Sequence, residues 1–481
     1  MVTKKKSLLT TFLRYCIPTV LSLWVFTMYS LVDGMFVARG VGELALSAVN
    51  MATPYMQVLF SLGILFGVGT STVVSILRGQ DQLEKANKVF TQNTVFLFGV
   101  GILITALMYI FIDPFVRFLG AEGETAVLVK EYIYGILPFS LSFVVAYSLE
   151  ILVKADGHPK VAMISVTTGA ILNCILDYLF IMVLQWGIWG AAFATGISQS
   201  VVLVLFMAHF LKKRGNFRFC RFEVDVKIYK RIIPIGIPDG LTELSAGAVR
   251  FFFNTTLLRY IGVHAIASYS ILAYVGNVVV MTMAGISQGV QPLVSYYYGR
   301  GDTATYKKLW RYALVSVAII SLVAFAATMV FAEQIVSVFI VDMASASAVY
   351  SVAVLRVYAI SFLFAGYNVL SASFLTAVEK ASYAITISFS RGLVLIAASL
   401  AVLPVLFGAE AIWWASTAAE AICLVLTIVF MRLFFKKGAL PEVIEKKAVK
   451  EAAFSAKERK VPKEKKERAA AAKRTESITE T

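Results

Sequence analysis

Apolar residues run in long unbroken stretches along this chain, separated by short connections in which Gly, Pro, Asp, Lys and Arg gather. Stretches of about 20 apolar residues cross a bilayer as helices, whereas barrel strands alternate over about 10. The pattern therefore predicts an all-α polytopic membrane protein of about twelve spans. The first six run near Arg14–Ala38, Leu44–Leu77, Phe90–Ile112, Val127–Val153, Val161–Leu184 and Ile188–Leu211. The second six run near Ile232–Leu258, Ala265–Tyr297, Trp310–Phe331, Val349–Val378, Ala384–Leu406 and Ala411–Phe435. Four regions follow from this division: a six-helix half over 1–211, a basic connection over 212–231, a second six-helix half over 232–435, and a charged tail over 436–481.

The halves repeat at a fixed offset. A shift of 220 pairs Pro18 with Pro238, Arg39 with Arg259, Gly42 with Gly262 and Gly69 with Gly289, and it continues through Gly79/Gly299 and Lys88/Lys308. Shared apolar composition gives chance matches among Leu and Val, but not one register of Arg, Pro and Gly across two spans and their loops. Because each half holds an even number of spans, both start on the same side, so the repeats are parallel about an axis along the membrane normal. A central cavity is expected between them.

Charge sets the orientation. Lys4–Lys6, Arg78 with Lys85 and Lys88, Lys154 with Lys160, the 212–231 connection, Arg300 with Lys307 and Lys308, Lys380, and the tail all fall on one side. The positive-inside rule places that side, and both termini, in the cytoplasm of a cell-membrane protein. It also accounts for a net charge of +15 in a chain that is 59% hydrophobic and only 15% charged, with a mean hydropathy of +0.79, so no nucleic-acid partner is inferred. The four cysteines show no pairing or metal-ligand spacing, and His158, His209 and His264 sit at separate span ends, so neither a disulfide framework nor a zinc site is expected. No phosphate-cradling Gly-x-x-x-x-Gly-Lys-[Ser/Thr] motif occurs, so energy is expected from an ion gradient and no cofactor is implied.

Ionisable groups inside spans carry the candidate chemistry, since they are costly there and usually functional. Asp33 lies in the first span, and Asn173 and Asp177 share one face of the fifth because they are four apart, with Thr195 on the sixth. Counting about 1.5 Å per residue from the outer connections puts Asp33 about 9 Å, Asp177 about 12 Å and Thr195 about 13 Å deep. Oxygen ligands at one level suit Na⁺, and two buried like charges equally favour uptake of a proton. Interhelical hydrogen bonds would by themselves explain Asn173 and Thr195; the paired carboxylates favour ion coupling. In the second half, Glu243, Arg250, Arg391 and Glu420 lie within spans and are candidates for the substrate cavity or for a structural network, with Glu243 and Arg250 seven apart on one face. Tyr29, Phe36, Tyr55, Met56, Phe60, Tyr274, Met281 and Met283 are candidates for an adaptable apolar wall or for plain packing.

The block Phe36-Val37-Ala38-Arg39-Gly40-Val41-Gly42-Glu43 after Pro18 and Asp33, with Ile235-Gly236-Ile237-Pro238 and Gly289-Val290-Gln291-Pro292-Leu293-Val294 in the second half, resembles the multidrug and toxic compound extrusion (MATE) family over roughly 8–435. The resemblance implies two six-helix lobes and a proton or sodium site at Asp33, Asn173, Asp177 and Thr195. Family members that couple through the C-terminal lobe place acids on the seventh and tenth spans; Glu243 meets the first approximately, and the tenth span offers Arg356 instead. The expected activity is antiport of small amphipathic organic compounds against H⁺ or Na⁺ by a lipid-embedded monomer, not catalysis. A lipid-linked oligosaccharide flippase is the alternative, because Arg250 and Arg391 would suit a pyrophosphate.

Overall fold

The protein's structure, a computed structural model, describes residues 7–340 and 342–436. Lys4–Lys6 and the tail from 437 lie outside the described residues. The first half comprises α1 (Leu8–Gly40), α2 (Glu43–Gly79), α3 (Leu83–Phe118), α4 (Gly123–Ala155), α5 (Pro159–Val183) and α6 (Gly187–Leu211). The second comprises α7 (Tyr229–Tyr260), α8 (Val263–Gly299), α9 (Thr303–Ser337), α10 (Ala346–Ala359 with Phe362–Ala377, bent by 44°), α11 (Ala381–Phe407) and α12 (Ala409–Lys436). All but α7 are long and apolar enough to cross a membrane, the bent α10 counted as one span. Helix α7 has the length, 32 residues, but carries Asp239, Glu243 and Arg250.

Most helices extend past the apolar windows. Helix α3 begins at Leu83 and ends at Phe118, where hydropathy alone marks 90–112. Polar end turns leave the bilayer without leaving the helix, because caps satisfy their free amides: Ser7 accepts from Thr10 N at 3.1 Å and Asp302 from Thr305 N at 2.9 Å. The 220-residue register survives in three dimensions. Gly42 and Gly262 both turn at positive φ, +123° and +118°, and α3 and α9 both break helical geometry at Phe111 and Phe331. Pro114 explains the first break, yet Gln334 stands at the matching place in α9, so packing within the repeated half sustains the second.

The halves meet at the basic end. Phe12, Tyr15 and Cys16 of α1 pack into a core with Met283, Ile286 and Val290 of α8. Close backbone approach does the joining, as expected where lipid offers no hydrophobic drive between helices. A Cβ on Gly236 of α7 would lie 1.8 Å from the Leu65 carbonyl oxygen of α2, and one on Gly79 would lie 2.1 Å from the Tyr296 carbonyl oxygen of α8. Midway along, Trp24 Nε1 donates to Thr282 Oγ1 at 2.9 Å. Further out Gly247 of α7 still meets Gln57 of α2, and near the far end each half packs on itself: Gly40 of α1 touches Ile181 of α5, and Ser268 of α8 reaches Ser351 of α10 at 2.8 Å. Gly236→Val is therefore expected to wedge α2 from α7 at a cost of about 1–3 kcal/mol. An unchanged melting temperature in detergent would show that this contact is not part of the seal.

Candidate functional site

Three helices of the first half converge on a cluster of oxygens. Asp177 is the last α-helical residue of α5 before a π-turn over Tyr178–Val183, a widening that turns local side chains out of the usual register. The carboxyl group of Asp33 on α1 faces that of Asp177 closely enough for the two groups to interact. One turn away, Asn173 Nδ2 donates to Thr195 Oγ1 of α6 at 3.3 Å. The four residues singled out in the sequence are thus gathered in one place. Asp177 and Asn173 are fully buried, at 0% and 1% exposure. Asp33 Oδ1, both Asp177 carboxylate oxygens and Asn173 Oδ1 are buried without a donor. Buried acceptors facing each other with no donor have strong need of a shared proton or a cation. The donor set, all oxygen, fits Na⁺ as well as H⁺.

The second half uses the same device with opposite charge. A π-turn in α11, Ser390–Val394, carries Arg391. Its guanidinium grips Glu420 of α12 through Nη2 at 2.6 Å and Nε at 3.1 Å, and Asn368 Nδ2 of α10 donates to the other carboxylate oxygen at 2.7 Å. Glu243 and Arg250 lie seven apart on the one helix α7; no ion pair joins them among the described residues, and Arg250 is exposed. Seven residues put the two about 10 Å apart along the axis. Arg356 of α10 turns outward to Glu333 at 3.4 Å.

Between the halves lies a cavity of about 220 Å³, walled by α1, α2 and α4–α6 on one side and α7, α8, α10 and α11 on the other. Its charged residues are Glu150, Asp239, Glu243 and Arg391. Arg250 and Glu420 are outside the lining. Glu150 is engaged by Lys154 at 2.7 Å and Arg391 by Glu420, whereas Asp239 Oδ2 is buried without a partner. Among the described residues, Asp239 and Glu243 are thus left without an ion-pair partner. Phe26, Tyr29, Phe60 and Tyr147 form an aromatic wall with ring centroids 4.6–6.1 Å apart. Met281 also lines the space, while Tyr55 is buried on Ser140 at 2.6 Å, Met56 and Met283 are packed in cores, Phe36 is half-buried against one, and Tyr274 stacks on Phe339 outside.

Asn173 and Thr195 belong to both places, the oxygen cluster and the cavity wall. Asp239 and Glu150 were not singled out in the sequence. Pro238-Asp239-Gly240 spells a turn and Glu150–Lys154 an ordinary i,i+4 pair, so the local signals point away from a cavity. The histidines require a correction. His158 and His209 are not separate: their rings lie 4.8 Å apart beside Asp156 at the basic end, because the α4–α5 turn folds back onto the end of α6.

The MatE family model matches residues 18–179 and again 242–403. The multidrug export protein MepA of Staphylococcus haemolyticus is 28% identical over 450 residues, covering 92% of this chain and 98% of the relative. MepA of Staphylococcus aureus is 26% identical over 419 residues, covering 85% and 90%. Among solved structures, an outward-facing multidrug resistance MATE transporter of the MOP superfamily superposes with a TM-score of 0.85 at 22% identity, over 91% of this chain and 99% of that one. A MOP superfamily transporter from Pyrococcus furiosus, described as having a binding pocket of reversed polarity, gives 0.84 at 22% identity, over 90% and 98%.

Proposed function

The chain belongs to the MatE family, and from that premise we propose that it is a secondary antiporter that exports amphipathic organic cations in exchange for H⁺ or Na⁺. One observation carries the reading: Asn173, one helical turn from Asp177, bonds Thr195, and both side chains line the cavity between the halves. An ion entering between Asp33 and Asp177 removes their repulsion and draws α1 toward α5. Tyr29 on α1 and Asn173 on α5 then shift in the cavity wall, and the bound cation loses its fit. Each ligand favours the state it binds better, so ion and substrate exclude one another across one conformational equilibrium.

The basic end is assigned to the cytoplasm, which makes the conformation sealed there an outward-facing one. Two unpaired acids among aromatic rings suit an organic cation, whose charge and apolar body are both accommodated. Nothing in the lining favours the pyrophosphate of a lipid-linked sugar, since Arg391 is committed to Glu420 and Arg250 stands outside.

The test is efflux of a panel of cationic, zwitterionic and neutral dyes from proteoliposomes under separately imposed proton and sodium gradients. Export of cations under one gradient is expected. Equal rates with both gradients collapsed would overturn antiport. Asp239→Asn is expected to weaken cation affinity about tenfold, the loss of roughly 1.4 kcal/mol of charge-assisted contact, and to leave a neutral dye unaffected. Equal losses for both dyes would mean that Asp239 only shapes the helix.

A further inference from the structure

At the basic end, Asp156, His158 and His209 form a cluster that the transport cycle described above does not use. Asp156 is fully buried in the turn between α4 and α5, and His209, 3% exposed, comes from the last turn of α6. The carboxylate is held from behind: Oδ1 accepts the Asn216 amide at 2.6 Å and the Phe217 amide at 2.9 Å, and Asn216 Nδ2 donates to the Asp156 carbonyl at 3.0 Å. Gly215 backs onto it so closely that a Cβ there would lie 1.4 Å from Oδ2. These contacts fix the carboxylate so that Oδ2 faces two imidazoles at once, His209 Nε2 at 2.9 Å and His158 Nδ1 at 3.5 Å.

A simple buried Asp–His pair needs one of those rings. The second, His158, brings Nδ1 up to the same oxygen and finds no hydrogen-bond partner. From these positions we propose that Asp156, His158 and His209 form a binding site for a divalent transition-metal ion of the zinc class. The three ligand atoms lie within 4.8 Å of one another. Tetrahedral bonds of about 2.0–2.2 Å hold neighbouring ligands about 3.3–3.5 Å apart, so the site completes by a small rotation of the half-buried His158 ring and a slight opening of the Asp156–His209 contact from 2.9 Å. Two imidazoles and one carboxylate suit zinc over calcium or magnesium, which prefer all-oxygen shells. The side chain of His158 is 33% exposed and gives the ion a path in, leaving a fourth position for water. The Asn216 and Phe217 amides supply the outer contacts that orient a ligating carboxylate.

The location gives the site a task. The same carboxylate holds the connection between the halves, through Asn216 and Phe217, against the first half. Nearby, Arg78 donates to the Ala155 carbonyl at 3.0 Å and lies over the Tyr296 ring of the other half at 4.8 Å. An ion that fixes Asp156 therefore fastens the connection beside the seal between the halves.

The experiment uses tag-free full-length protein in detergent, with zinc titrated against a chromophoric chelator. One equivalent is expected to bind, to raise the melting temperature, and to slow hydrogen exchange of the Asn216 and Phe217 amides. His158→Ala and His209→Gln are each expected to weaken binding by at least about 10–100-fold, the range seen when only a contact supporting a ligand is lost. His264→Ala, at the opposite end, is expected to bind like the parent. Absence of saturable binding in the parent, or full binding in folded His158→Ala, overturns the site. Loss in His264→Ala instead would overturn it by placing the ion elsewhere.

Discussion

Asp177→Asn is expected to remove most gradient-driven export while the protein still reaches the membrane and still binds substrate. The amide keeps the size of the carboxyl group and removes the charge that draws in the ion, so the cluster loses its reason to open and close. Coupling free energies between sites run about 1–3 kcal/mol, so uphill export should fall about 5–150-fold. Downhill equilibration of the same dye should persist, because alternation itself does not require the ion. Asp33→Asn is expected to match it, and the double variant should be no worse than either, since both carboxyl groups serve one ion. Measured dye accumulation under an imposed gradient decides the matter; retention of full uphill export by either single variant would remove the ion site from Asp33 and Asp177.

Arg391→Ala is expected to be the most destabilising single change in the second half. It strands Glu420, whose side chain is 10% exposed, with Asn368 as its one remaining side-chain donor. Breaking a buried pair from one side costs about 3–5 kcal/mol, whereas removing both charges together is often neutral. Arg391→Met combined with Glu420→Leu should therefore melt close to the parent in detergent, well above Arg391→Ala. A single variant as stable as the parent would show that water or lipid headgroups reach Glu420. The double variant also tests selectivity. If Arg391 repels cations from the cavity rather than serving Glu420 alone, its export of cationic dyes should improve.

Several features of the site were legible in the chain because they depend on local spacing. Asn173 and Asp177 share a face through the helical period, and counting residues from the outer connections already puts Asp33 and Thr195 near the same level as Asp177. Glu243 and Arg250 share a face by the same logic, yet no ion pair joins them among the described residues. Spacing places two residues on a face of their own helix, but the long Arg side chain chooses between that neighbour and the surface, and the neighbouring helices decide. Asp239 shows the converse, since its local signal is a turn and only the crossing of α7 with α2 puts its carboxylate at a cavity wall.

What the sequence determined by itself is the run of long apolar helices and their duplication. A bilayer gives no water to an unpaired amide, so every span must complete its own hydrogen bonds and announces itself over its own length. Tertiary structure alone decided the Arg391–Glu420 grip, the exclusion of Arg250, the meeting of Asp156 with two histidines, and which end of the bundle is sealed. Lipid is as apolar as the helix surfaces it covers, so hydropathy does not say which faces will touch. That choice falls to small residues such as Gly236 and Gly79, whose partners Leu65 and Tyr296 are more than 170 residues away in the chain.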